Sequence, residues 1–192
     1  MEITSLSQLD LNKTYTYSDY LNWKLKERVE LIKGKIFKMS PAPSAEHQRI
    51  ATKMTGLFWS HFEGSTYQVF AAPFDVRLDV ASKGKNFTVV QPDLTIVCDP
   101  EKIDTKGCKG SPDLVIEILS PGNTQKEMKD KFEVYEEAGI KEYWLVEPND
   151  KAVFVFVLND QGTYLGLRPK TVDETISSSI FPELTIDLKR VF

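Results

Sequence analysis

The sequence predicts an α/β fold built on a mixed central sheet, and three observations carry that prediction. The stretch 111–148, SPDLVIEILSPGNTQKEMKDKFEVYEEAGIKEYWLVEP, changes its apolar period from strand to helix and back to strand. A strand, crossover helix, strand unit is the pattern of parallel neighbours. Two apolar runs rich in β-branched residues, 89–97 and 113–119, read as strands. After Ser44, apolar side chains recur at helical spacing from Ile50 to Phe62, and the segment before this helix alternates as a hairpin does.

Taken in order, Thr16 or Ser18 is a suitable N-cap for a short helix through Tyr20 and Trp23 to about Glu27. Residues 28–39, RVELIKGKIFKM, alternate around Lys33-Gly34, a hairpin signal. Pro41 and Pro43 break the chain, and Ser44 opens the helix carrying Ile50, Met54, Leu57, Phe58 and Phe62. Strands follow at 66–71 and 74–80. The second turns Phe74, Val76, Leu78 and Val80 inward and Asp75, Arg77 and Asp79 outward. After the run 89–97, the run 113–119 begins just past Pro112, a place where a missing N–H costs no ladder bond. Ser120-Pro121-Gly122-Asn123 is turn chemistry, and from Thr124 a helix carries Met128, Phe132, Tyr135 and Ala138 until Gly139 caps it. Residues 142–146 are the next strand. Residues 152–158 and 164–167 form a hairpin, and 182–192 is one more short strand or helical turn that extends or covers the sheet edge.

A chain of 192 residues has room for one domain with a sizeable core, so residues 1–192 read as a single domain. At 41% hydrophobic and 27% charged it has the balance of a soluble globular protein. No apolar run reaches the ~20 residues of a membrane span, and MEITSLSQLDLNK lacks a signal pattern, so the expected compartment is cytoplasmic. Cys98 and Cys108 are too far apart for a C-x-x-C site and read as ordinary thiols. A net charge of −4 argues against a protein that coats nucleic acid through its overall charge. A local basic surface remains open. Lys83, Lys85, Lys102, Lys106 and Lys109 lie in two loops, and Lys126 and Lys129 lie on the crossover helix; they are either solvated faces or phosphate contacts.

Glu117 is the unusual residue, a carboxylate in a run that otherwise favours a dry environment. It is a solvent-facing position, one half of an ion pair, or a metal or catalytic acid. Asp113 shares its face, but four residues at ~3.3 Å each place it ~13 Å away, too far for a shared ion. An adjacent strand lies ~4.8 Å off, and Asp93 is the single acid in the run 89–97. Asp75 and Asp79 are rivals whose alternation reads as a solvent face. Lys131 lies ~10 Å along the helix from Thr124, and its side chain leans back toward the level of Glu117, with Glu127 one turn earlier to support it.

At these residues the chain resembles a family. An Asp on one strand, a Glu on the next and a nearby lysine resemble the PD-(D/E)XK nuclease superfamily. The runs "QPDL", "PDLVIEILSP", "K...Y..AGI.EYWLVEP" and "ELIKGKIFKMSP...HQ" resemble the Uma-two family, a restriction-endonuclease-like group once known only as a domain of unknown function. The similarity runs from about Tyr17 to Pro148 and more weakly beyond. One departure is that the E-x-K position holds Leu119. The family implies a lysine that has migrated to the following helix, which matches Lys131, and relatives more often carry Asp at the position of Glu127.

The resemblance implies a restriction-endonuclease-like core and metal-dependent hydrolysis of DNA. Asp93 and Glu117, with the Ile118 carbonyl, would hold Mg2+ or Mn2+, and Lys131 would orient water or neutralise charge. It raises Glu30 from a cross-strand ion pair with Lys35 or Lys38 to an accessory acid. It also raises His47, in the first turn of the Ser44 helix, from a capping or core histidine to a site residue; His61 reads as a partner of the helix C-terminus. DNA is the implied partner, with a homodimer as the assembly to test for and no membrane. Two other readings stay open: an inactive nuclease-fold module that binds nucleic acid or protein, and an oligomeric scaffold whose carboxylates only pair with lysines.

Overall fold

The computed structural model describes residues 2–39, 43–78, 88–120 and 125–192. Strands and α-helices are numbered along the chain. The larger sheet has the order β12-β11-β10-β9-β6-β3, with β13 also pairing β11. Its members are β3 (Gln68–Ala71), β6 (Leu94–Val97), β9 (Leu114–Ile118), β10 (Glu142–Glu147), β11 (Ala152–Leu158), β12 (Tyr164–Gly166) and β13 (Lys170–Thr171). Within this sheet, among the described residues, only β9 and β10 run parallel, and the helix α3 (Gln125–Glu137) connects them, as the strand, helix, strand pattern requires.

A second sheet was not legible from the sequence. It has the order β2-β1-β5-β4-β8-β7, from β1 (Val29–Ile32), β2 (Lys35–Lys38), β4 (Val76–Leu78), β5 (Thr88–Val90), β7 (Ile103–Asp104) and β8 (Gly107–Lys109). The apolar run 89–97 is therefore not one strand. It ends β5 in this sheet, breaks at Gln91-Pro92-Asp93, and resumes as β6 in the larger one. Pro92 has no N–H to give a ladder, so the chain changes sheets there. β4 lies inside the second sheet with all three residues buried, which corrects the outward placement of Arg77. Its guanidinium donates to the carbonyls of Gly107 and Cys108 and pairs with Asp104 at 2.8 Å.

The faces of the larger sheet alternate as expected. Leu94, Ile96, Leu114, Ile116, Ile118, Trp144 and Val146 pack against Ile50, Met54, Phe58 and Phe62 of α2 (Ala45–Phe62). The chain end joins this core through Ile176, Phe181, Leu184, Ile186, Leu188 and Val191. The tail, with a small hairpin of β14 (Thr175–Ser177) and β15 (Thr185–Asp187), thus covers a face; β12 and β13 form the edge of the sheet beyond β11. Glu142 anchors it by accepting hydrogen bonds from Ser178 Oγ and the Ser179 and Ile180 amides. On the opposite face, Val97, Val115 and Tyr143 meet Val134 and Tyr135 of α3 and Ile32, Val76, Leu78 and Val90 of the second sheet.

Local signals explain the elements that carry the site. Lys33 and Gly34 both take positive φ, 50° and 76°, the two-residue turn that matches strand twist. Ser44 accepts from the His47 amide at 3.1 Å and starts α2. At the end of α3, Gly139 has φ 74°, its amide donates to Glu136, and the Ile140 amide donates to Tyr135, the glycine cap expected there. Thr16 does cap a helix, but α1 spans only Tyr17–Tyr20. The chain then leaves the helix so that the Lys24 amide donates to Ile3, and Tyr15, Tyr20 and Trp23 pack together. Asp79, Lys83, Lys85, the Pro41 break and the 121–124 turn lie outside the described residues. Among the described residues, no helix is long and apolar enough to cross a membrane.

A candidate active site at the junction of the two sheets

Asp93 stands where the chain passes from one sheet to the other, immediately before β6. Leu94 pairs antiparallel with Ile116, which brings Asp93 alongside Glu117 of β9. Oδ2 of Asp93 accepts a hydrogen bond from the Ile118 amide at 2.8 Å and lies 3.2 Å from Nε2 of His47. The first turn of α2 and the start of β6 therefore meet at one carboxylate.

Glu117 shares its face with Val115, toward α3. Its Oε1 accepts from Lys131 Nζ at 2.9 Å and from the Tyr135 hydroxyl at 2.5 Å. Lys131 and Tyr135 are one helical turn apart, so one face of α3 serves both bonds. The same ammonium lies 3.1 Å from Oε1 of Glu30, which also accepts the Gln91 amide at 2.7 Å. Glu30 is opposite Phe37 across the hairpin, and its salt partner is Lys131 on α3, not Lys35 or Lys38. Asp93, Glu117, Lys131, Glu30 and His47 are thus brought together. They come from β1, α2, the β5–β6 junction, β9 and α3.

The electrostatics follow from burial and crowding. Burial, with the charges of Asp93 and Glu30, pushes the Glu117 carboxyl up to about 7 against the pull of Lys131. Burial alone would lower Lys131, but Glu117 and Glu30 outweigh it and keep the ammonium charged. Burial likewise works against a charged His47, and Asp93 outweighs it, so the imidazole is shifted upward. Tyr135 is raised well above its ordinary value, first by burial and then by Glu117, and remains a donor. Two buried polar atoms, Oε2 of Glu30 and Nδ1 of His47, have no hydrogen-bond partner among the described residues. A cavity of about 20 Å3, enough for one water molecule, is lined by Glu117, Glu127, Lys131 and Tyr143.

The neighbouring candidates fall elsewhere. Asp113 accepts from Lys141 Nζ at 2.7 Å and from the Cys98 amide at 2.8 Å, at the far end of β9. Asp75 accepts from Gln91 Nε2 at 2.7 Å and the Tyr20 hydroxyl at 3.3 Å, so among the described residues its link to the site runs through Gln91. Lys129 pairs with Glu133, and Lys126 sits 5.7 Å from the ring centre of Phe37. His61 is exposed in the last turn of α2, edge-on to Phe62. No group of three or more His, Cys, Asp or Glu side chains suited to a metal occurs among the described residues. Sequence reasoning missed Tyr135 and Gln91. Tyr135 was readable only as an apolar position of the helix, although a buried tyrosine hydroxyl needs a partner and lies one turn from Lys131.

Comparison with known proteins places the fold and the family. A crystal structure of a "putative nuclease belonging to DUF820" from Anabaena variabilis superposes with a TM-score of 0.71 at 22% identity, covering 92% of this chain and 97% of that one, and shares the fold. A protein of Synechocystis sp., itself described as uncharacterised, is 26% identical over 173 residues, 88% of each chain. The family model of Uma2, described as "putative restriction endonuclease", matches residues 17–189, and the chain belongs to that family.

Proposed function

We propose that this protein is an endonuclease that hydrolyses phosphodiester bonds of DNA with a bound Mg2+ or Mn2+. The observation that carries the reading is that Asp93 and Glu117 stand side by side on adjacent antiparallel strands, with Glu117 bonded to a lysine held by α3. The donor set suits a hard cation. Asp93 Oδ1 and Glu117 Oε2 are unbonded among the described residues, while their sister oxygens are fixed by the Ile118 amide and by Lys131 and Tyr135. Glu117 and Glu30 share one lysine while Asp93 lies against His47, so a divalent ion would take the place of the proton that burial and crowding favour on Glu117. Asp93 and Glu117 would hold it, with the Ile118 carbonyl as a third oxygen.

Such an ion supplies a Lewis acid for the phosphate and a more acidic water. The protein's own groups do the rest. Lys131 stays charged and has three donors, two of them engaged by Glu117 and Glu30; the third has no partner among the described residues and would orient a water in the adjoining cavity or meet charge on the phosphate. His47 orients Asp93, and Tyr135 orients Glu117. A scaffold whose carboxylates merely pair with lysines would give each acid a lysine, and this one does not: among the described residues, Lys131 is the only lysine or arginine bonded to any of the three acids, and Asp93 lies against His47 instead. The test is a cleavage assay on supercoiled, linear and single-stranded DNA, with Mg2+, Mn2+ or chelator. Cation-dependent cleavage that fails in Glu117→Gln supports the reading, and cation-independent or absent cleavage rejects it.

A further inference from the structure

A groove leads away from Asp93 along the exposed face of α2. It has a volume of about 420 Å3 and runs between Gln48, Thr52, Thr55 and Gly56 on the helix and Ala71-Ala72 at the end of β3, and its far wall is Trp59. A second cavity of about 330 Å3 continues beyond, between Trp59, Tyr67 and Phe70. Trp59 is therefore shared by both. Its ring is not part of the core: Ile50, Met54, Phe58 and Phe62 make the buried face of α2, whereas Trp59 is 60% exposed. Tyr67, at the rim of the second cavity, is 40% exposed.

The chemistry of this path fits bases better than phosphates. Apart from Asp93 at its mouth, its walls are small or neutral polar side chains ending in an indole, and none of the residues on the α2 side is a lysine or arginine. Flat aromatic faces hold unpaired bases with little regard to sequence, because every base has a π-face to stack. From Gln48 to Trp59 the helix rises ~16 Å, the length of roughly five stacked nucleotides of one strand. A cavity of this size admits single bases and not a duplex.

We propose that this groove receives the unpaired strand next to the scissile phosphate, with one base stacked on Trp59, so that the substrate is single-stranded DNA or a duplex with an unpaired tail. The proposal rests on the nuclease reading of Asp93, but its test needs no cleavage. Gly56 supplies the sharper variant. A Cβ built there meets nothing within 4 Å, so a larger side chain enters the groove without a clash, and losing a mid-helix glycine favours the helix.

The experiment titrates the protein in chelator with a short end-labelled oligothymidine, following its anisotropy and the quenching of tryptophan fluorescence. The single strand should bind and quench, while a blunt duplex should not quench. Trp59→Ala should abolish the quench and weaken binding roughly tenfold. Trp59→Phe should bind with intermediate affinity, and Gly56→Leu should weaken binding while its melting temperature holds or rises. No quench by the wild type, or unchanged affinity in both Trp59→Ala and Gly56→Leu, overturns the proposal. So does a wild type that sediments as a dimer, becomes monomeric in Trp59→Ala and binds no single strand, because the groove would then seat a second copy. Oligothymidine binding without cleavage of any DNA would reject the nuclease reading and leave the groove standing; the reverse result would reject the groove alone.

Discussion

The ammonium of Lys131 lies 3.1 Å from Glu30 and 2.9 Å from Glu117, and these carboxylates belong to different sheets. One side chain on α3 therefore balances charge for both halves of the core. All three groups are largely removed from water, with side-chain exposures of 8%, 1% and 13%. Removing one partner of a buried pair leaves an uncompensated charge, which costs about 3–5 kcal/mol. Lys131→Met should lower the melting temperature strongly and reduce cleavage by ~10² or more, the scale of losing one electrostatic stabiliser. Adding Glu30→Gln should restore part of the stability and none of the cleavage. Thermal melts and kcat of both variants check this; recovery of kcat with stability would make Lys131 purely structural.

Asp93→Asn and Glu117→Gln change charge and little volume. Each should abolish Mg2+ or Mn2+ binding by titration calorimetry, and cleavage with it, while the protein stays folded in chelator. Lys126 and Lys129 are controls on α3. They lie ~140° and ~200° around the helix from Lys131, and neutralising them should at most weaken DNA binding and its salt dependence. Equal losses at all three lysines would reduce α3 to a basic surface.

Asp113→Asn separates the second proline-aspartate pair from the first. Asp113 is bonded to Lys141 and to the Cys98 amide, so the variant should keep its activity and lose stability of about 1–2 kcal/mol. Burial alone would raise this carboxyl, but Lys141 and the Cys98 amide lower it overall. Its contribution is thus present above the ordinary aspartate value near 3.8 and lost as the pH falls through the still lower folded value. Urea midpoints at neutral and acid pH should converge between wild type and variant.

Tyr135→Phe removes the hydroxyl that Glu117 accepts at 2.5 Å. That bond favours the ionised carboxyl, so its loss should push Glu117 further upward. The acid limb of kcat/KM should move to higher pH, with the plateau at alkaline pH changed less. An unmoved limb with a lower plateau would assign Tyr135 to packing alone.

Much of the site was legible because its residues break local rules. Glu117 interrupts an apolar strand, and Lys131 has a helical distance that matches it. Asp93 was found by strand spacing, although its setting was misread, because an apolar run of nine residues does not reveal that Pro92 divides it between two sheets. The second sheet was hidden for the same reason. β4, β5, β7 and β8 are two or three residues long, too short for alternation to declare a buried face, so Arg77 read as exposed when its neighbours on β8 cover it. Glu30 showed the opposite difficulty. Its strand alternates correctly, but the helix that supplies its partner is more than ninety residues away in sequence, and no periodicity carries that contact.

Glu117 also predicts how the metal-free protein responds to pH. Its folded value, about 7, lies above the ordinary 4.5, so the uncharged form is the one that the fold favours. A group raised in this way contributes stability that is fully present below 4.5 and is lost as the pH rises through 7. In chelator, the melting temperature should therefore fall between pH 5 and pH 8, and Glu117→Gln, which cannot ionise, should flatten most of that slope. A cation held by Asp93 and Glu117 must displace the proton. Binding of Mg2+ or Mn2+ below pH 7 should then release close to one proton and weaken about tenfold per unit of pH, which calorimetry in buffers of different ionisation enthalpy measures directly. Cation affinity that stays constant from pH 5 to pH 8 would separate Glu117 from the ion, whatever the activity of the enzyme.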